Sequence, residues 1–203
     1  MYDNTVIKSF VNKYPVRPEL IVDIIVGPTS VGKSWVVDNL KETHQFVRST
    51  TTRERRPGED GDEYNFVTVS EFESRLKNHE FVLAFNLNDN YYGYLGDDLD
   101  KIVESGKKPI SIIYYKVLEE FLDKFPNSRI AFMFPPNTQQ GIELLRTRTQ
   151  ARDGEILQSR EQDTLEQMTY AYTTNLASKY SNSRFFVIED NTSALGVIEY
   201  FKS

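Results

Sequence analysis

The segment Gly27-Pro28-Thr29-Ser30-Val31-Gly32-Lys33-Ser34 sets two glycines, a lysine and a hydroxyl residue in the order G-x-x-x-x-G-K-S. Those residue types at that spacing suit an oligophosphate. The glycines let backbone N–H groups curl round an anion with no side chain in the way. Lys33 brings a positive charge to the outer phosphates, and the Ser34 hydroxyl is a ligand for Mg²⁺. Upstream, Leu20 to Val26 is a nearly continuous apolar run that reads as a buried strand entering the loop. Trp35 to Leu40 reads as a helix leaving it, with its positive dipole end toward the same anion. The plainer alternative is a glycine-rich turn with no ligand; the strand–loop–helix context favours phosphate binding.

A second concentration of charge follows. Ser49-Thr50-Thr51-Thr52-Arg53-Glu54-Arg55-Arg56-Pro57-Gly58-Glu59 packs three arginines into four residues. By composition it is a solvated charge run, since acids are interleaved. By chemistry, Arg53 and Arg56 can hold a phosphate bidentately. Tyr64 and the Tyr91-Tyr92-Gly93 stretch add phenolic donors that no apolar core requires.

These groups need a frame to position them. At 203 residues the chain suffices for one domain with a small insertion and a proper core. Strand-like runs (QFVRST, YNFVTV, FVLAFNL, KPISIIYY, RIAFMF, RFFVIED) alternate with helical ones. That alternation predicts an α/β protein on a parallel sheet. The helical stretches include one opened by a capping box at Ser70 and Glu73, one that stops at Gly106, a long polar one from about Glu155 to Lys179, and a closing SALGVIEYF. YYGYLGDD reads as a turn, and residues 1–18 as a polar lead-in. The polar block from about Ser49 to Tyr94 reads as an insertion beside the sheet.

Composition narrows the function classes. There is no cysteine, which excludes a disulfide framework and thiolate chemistry. Acidic residues outnumber basic ones by 30 to 24, which argues against a nucleic-acid partner held by a basic surface. No uncharged apolar run approaches membrane-spanning length, and the first residues show no secretory signal, so a cytoplasmic location is expected. His44 and His79 stand alone and read as surface histidines. Tyr114-Tyr115 reads as core aromatic, with nucleobase packing as the alternative. Asp97, Asp98 and Asp100 read as helix-cap residues, with a catalytic carboxylate as the alternative.

The order of motifs resembles the guanylate kinases, from about Leu20 to the C-terminus. GPTSVGKS, STTTRERRPGEDGDEYNFVTVSEF, HEFVLAF, NYYG and LLRTRTQAR carry the resemblance. It implies a P-loop three-layer parallel-sheet core (19–48 and 95–203), a monophosphate-binding insertion (about 49–94) and a helical lid (about 148–160). It further implies transfer of the ATP γ-phosphate, with Mg²⁺, to a nucleoside monophosphate, GMP or dGMP first. Arg53, Arg56, Tyr64 and Tyr92 would grip the acceptor phosphate and Ser49 would touch the base. Arg148 and Arg152, in the Leu-x-x-Arg-x-x-x-Arg pattern, and Arg160 would stabilise the migrating charge alongside Lys33. Four positions depart from the family. Leu83 stands where it carries a guanine-reading carboxylate, Tyr94 where it carries serine, and Ile112 and Tyr114 where it carries strand acids. Two alternatives follow: a ribose-phosphate kinase such as the ribose 1,5-bisphosphate phosphokinases, and a non-catalytic module binding phosphopeptides or nucleotides.

Overall fold

β2 (Asp23–Val26) is buried along its whole length. It is the middle strand of a parallel sheet, and burial on both faces is why it reads, Asp23 apart, as an apolar run. The computed structural model describes residues 8–10, 13–55, 63–154 and 158–203. The parallel sheet also holds β3 (His44–Phe46), β8 (Lys108–Ile112), β9 (Arg129–Phe134) and β10 (Ser183–Val187), in the order β10-β9-β2-β8-β3. β8 and β9 flank β2 on opposite sides. The chain therefore reverses its direction of winding at β2, and the carboxyl ends of β2, β8 and β9 form the crevice where such sheets bind ligands. The P-loop leaves β2 into this crevice and runs into α1 (Lys33–Asp38).

A second sheet lies beside the first. It contains β1 (Lys8–Ser9), β4 (Ser49–Thr51), β5 (Tyr64–Phe66), β6 (Phe81–Leu87) and β7 (Asn90–Leu95), in the order β1-β6-β7-β4-β5. β3 and β4 are separated by two residues yet belong to different sheets, so the QFVRST segment is two short strands rather than one. α2 (Val69–Lys77) covers one face, where Phe72 stacks on Phe81 at 4.5 Å and on Tyr91 at 5.3 Å. The paired register Leu83↔Tyr94 and Phe85↔Tyr92 sets those four side chains on the opposite face, which joins the main core. α3 (Gly96–Glu104) returns the chain to β8.

Four local expectations are corrected. The capping box of α2 is Thr68 with Glu71, not Ser70 with Glu73, because Thr68 takes the extended backbone that frees its hydroxyl for the Glu71 N–H. YYGYL is the strand β7; the turn lies earlier, at Asn88 and Asp89, with φ of 49° and 60°. Both are types that tolerate the left-handed region demanded by two-residue hairpins. The long polar helix expected from about Glu155 to Lys179, of which 155–157 lie outside the described residues, is α6 (Gln158–Thr173) and a separate 3₁₀ turn over Leu176–Lys179, divided where Asn175 takes φ 46°. His44 is 2% exposed rather than at the surface. Its Nε2 lies 2.8 Å from Asp23 Oδ2, and Arg129 donates to the same carboxylate at 2.7 and 2.8 Å. His79, by contrast, is exposed, with φ 59° just past α2.

The remaining α-helices are α4 (Leu118–Leu122), α5 (Gln139–Asp153) and α7 (Asn191–Lys202). Arg129 also donates to the Tyr200 and Phe201 carbonyls near the end of α7, at 3.3 and 2.8 Å. The Asp23 cluster thereby clamps the last helix to the amino ends of the strands. No helix among the described residues is long and apolar enough to cross a membrane.

Candidate active site

The P-loop owes its shape to two glycines. A Cβ on Gly27 would come within 2.1 Å of the Met133 carbonyl oxygen, so only glycine lets the loop leave β2 this close to β9. Gly32 takes φ 105°, which favours glycine. Ser30, at φ 61°, is held by a 2.9 Å hydrogen bond from Thr149 on α5. The Lys33 ammonium donates to the Gly27 and Pro28 carbonyls at 2.9 and 2.6 Å. Val31 is fully buried and anchors the loop beneath. Burial, and then the nearby Arg152 charge, push the Lys33 pKa down to about 8, against the opposing pull of Glu63 and Asp163. Ser34 donates to Glu63 Oε1 at 2.9 Å.

The arginine loop is tied to β7 by hydroxyls. Thr51 Oγ1 donates to the Tyr91 carbonyl at 2.9 Å and accepts from the Arg53 N–H at 3.1 Å. Thr52 Oγ1 accepts from the Tyr91 N–H at 2.9 Å. The Arg53 guanidinium then lies 5.1 Å from the Tyr64 ring centroid. Tyr64 meets Tyr92 edge-on at 6.3 Å, and Tyr92 stacks on Phe85 at 5.6 Å. Arg53, Tyr64 and Tyr92 thus form one group; Arg56 lies outside the described residues. Because Glu63 directly precedes Tyr64, its bond to Ser34 brings this group up to the P-loop.

The helical arginines divide. Arg152, at the end of α5, donates to Thr29 Oγ1 at 3.3 Å and pairs with Asp153 at 2.7 Å. The hydrogen bond to Asp153 is the main reason its pKa is raised, and Glu63 and Tyr64 are close enough to add to it. Arg160 on α6 donates to Asp153 Oδ2, an oxygen that Arg152 also holds, so Asp153 joins the two helices. Arg148 is not brought to the P-loop. One turn nearer the start of α5, it is directed to the Glu189 carbonyl at 3.4 Å.

In the second sheet, Ser49 is buried and its hydroxyl faces the Gly93 carbonyl at 3.5 Å. Leu83 is 3% exposed and Tyr94 is 4% exposed. The Tyr94 phenol donates to the Ile112 carbonyl at 2.8 Å, and burial holds its pKa well above that of free tyrosine. Tyr114 donates to Asp163 on α6; burial first, then that carboxylate, raise its pKa. Gln167 holds the other Asp163 oxygen at 2.7 Å. Tyr115 packs between Tyr114 and Tyr170, at 5.0 and 5.2 Å. Asp100 pairs with Arg17, and Asp98 lies 3.5 Å from the Asn65 amide, so neither turns to the P-loop. Glu63, Thr149, Asp153 and Asp163 are the site neighbours that sequence spacing missed.

A P-loop in the crevice of a parallel sheet, with an arginine and tyrosine group set against it, defines a P-loop nucleotide-binding α/β protein. The sequence model of the guanylate kinase family matches residues 20–182. The chain is similar to the guanylate kinase of Fusobacterium nucleatum, at 30% identity over 72% of this chain and 80% of that protein. It is also similar to that of Bdellovibrio bacteriovorus, at 33% over 66% of this chain and 72% of the other. The crystal structure of guanylate kinase from Anaplasma phagocytophilum superposes with a TM-score of 0.64, covering 94% of this chain and 86% of that one. At 21% identity, this likeness speaks for the fold. The chain belongs to the guanylate kinase family.

Proposed function

We propose that the protein transfers the γ-phosphate of ATP to the phosphate of a small monophosphate acceptor, in the manner of a nucleoside monophosphate kinase, with GMP or dGMP the first acceptors to test. One observation carries this reading: Arg152 contacts the P-loop at Thr29 and lies close enough to act electrostatically on both Lys33 and Tyr64. A cation between a donor cradle and an acceptor grip is where a migrating phosphoryl group needs compensation. Lys33 would hold the donor phosphates. Arg53, Tyr64 and Tyr92, with Arg56, would orient the acceptor phosphate, and the pairing of two bound reactants supplies much of the rate. Arg160 would act through Asp153, by fixing where Arg152 points. The oxygen donors at Ser34 suit the hard cation Mg²⁺, which when bound spreads charge away from the transferred group.

The base is a separate matter. Guanine offers N–H groups that need an acceptor, and Leu83, Tyr94 and Ile112 give the face beyond the phosphate grip no carboxylate. The missing carboxylate favours, as second reading, an acceptor whose phosphate is gripped and whose remainder is read by shape, such as a ribose phosphate. Coupled ADP release with Mg²⁺·ATP against GMP, dGMP, AMP, CMP, UMP, dTMP and ribose 1,5-bisphosphate tests both. Turnover on one or more of these supports phosphoryl transfer, and the preferred acceptor decides between the readings. No turnover on any of them contradicts it.

A further inference from the structure

Ser34 and Glu63 come from segments attached to different sheets. Ser34 lies in the first turn of α1 beneath the P-loop; Glu63 precedes β5 in the sheet that carries Arg53, Tyr64 and Tyr92. Their 2.9 Å hydrogen bond is a direct contact from the acceptor-side sheet to the P-loop hydroxyl. The central sheet supplies no acid there. Ile112 ends β8 and Tyr114 follows two residues later, and the Tyr114 phenol is spent on Asp163. Two carboxylates stand near enough to act on Lys33, Glu63 and Asp163. Asp163 is committed, since Tyr114 holds one of its oxygens and Gln167 the other. Among the described residues Glu63 has one hydrogen-bond partner, and that partner is Ser34.

We propose that Glu63 is the carboxylate of the divalent-cation site, so that the ion accompanying the nucleotide is shared between the P-loop and the acceptor-side sheet. The donor chemistry fits. A hydroxyl and a carboxylate are hard oxygens of the kind Mg²⁺ takes, and an ion that keeps most of its waters needs few protein ligands. The arrangement has a consequence: loading metal and nucleotide at the P-loop draws on a residue next to Tyr64, which ties the donor side to the acceptor grip. The inference rests on the P-loop reading above.

Mn²⁺ as a spin probe tests it without turnover. Mn²⁺ is titrated by electron paramagnetic resonance into the whole protein saturated with a non-hydrolysable ATP analogue, alongside analogue affinity without metal. Glu63→Gln should weaken Mn²⁺ in the ternary complex about tenfold or more. Its metal-free analogue affinity should not fall, and Glu63→Asp should regain part of the loss. Unchanged Mn²⁺ affinity in Glu63→Gln overturns the proposal. So does equal tightening of the analogue with and without metal, which would mark Glu63 as a placeholder released on binding. If the wild type takes up the analogue with no bound Mn²⁺, the metal-site proposal falls; if it takes up no analogue at all, the P-loop reading falls as well.

Discussion

Lys33 illustrates how one side chain carries two burdens. Its ammonium is charged where phosphate binds, yet burial and Arg152 push its pKa down to about 8 before any phosphate is present. Above that pH the free protein holds Lys33 increasingly neutral, whereas a bound oligophosphate demands the charged form. Nucleotide binding must therefore take up a proton at alkaline pH. Affinity for ATP should be flat between about pH 6.5 and 7.5 and weaken by up to about tenfold per pH unit above about 8. Calorimetric titration from about pH 7 to about 9.5 checks this, and an unchanged Kd would mean that Lys33 stays charged without a ligand. Gly27 makes a steric prediction of the same kind. The Met133 oxygen lies 2.1 Å from where a side chain would begin, so Gly27→Ala must shift the strand or the loop. The cost should be about 1–3 kcal/mol or more in urea denaturation, with nucleotide affinity reduced as well.

At the level of elements, what is legible in the sequence depends on how far apart the partners lie along it. The P-loop is contiguous, so its residue types announce the strand before it and the helix after it. The alternation of apolar runs points to the parallel sheet for the same reason. β7 reads as a turn because Tyr-Tyr-Gly has turn composition; Gly93 is in fact a strand residue whose missing side chain makes room for the Phe81 ring. His44 reads as a surface residue because its partners, Asp23 and Arg129, begin two other strands and meet it only once the sheet forms. The Ser34–Glu63 contact spans two sheets and follows no spacing rule. The Asp23 cluster makes its own prediction. Asp23→Ala leaves the Arg129 charge and the His44 ring without their shared carboxylate. Breaking such a buried pair should cost about 3–5 kcal/mol. Because the cluster sits at the amino ends of the strands, ATP affinity of the folded protein should stay within about twofold (about 0.4 kcal/mol) of wild type. A large loss of affinity with full stability would contradict that separation.

Across the whole molecule, the two sheets are joined by more than the inserted chain. Among the residues before the family match, 8–10 and 13–19 form a strap. β1 pairs with β6, and Phe10 donates its N–H to the Ala84 carbonyl at 2.9 Å and meets the Tyr91 ring at 5.7 Å. Tyr14 packs over Gly96 and against Phe125, while Lys124 donates to its carbonyl at 2.9 Å. Arg17 pairs with Asp100 on α3, and that hydrogen bond is the main reason its pKa is raised. A segment expected to be only a lead-in thus crosses from the second sheet to the first. Removing residues 1–10 should strip β6 of its edge partner. Hydrogen exchange should then quicken in β6 and β7 while β2 stays protected. Uniform protection in the truncated chain would mean that the strap holds nothing.

Transfer between two facing cradles is the central claim, and ³¹P nuclear magnetic resonance follows that transfer directly. With Mg²⁺·ATP and the acceptor preferred in the ADP-release panel, ADP and a new phosphorylated acceptor should accumulate in equal amounts. Lys33→Ala should abolish both, and Arg53→Ala should slow both at low acceptor concentration. ATP consumed to inorganic phosphate with no new acceptor signal, or no consumption with any acceptor, would contradict it.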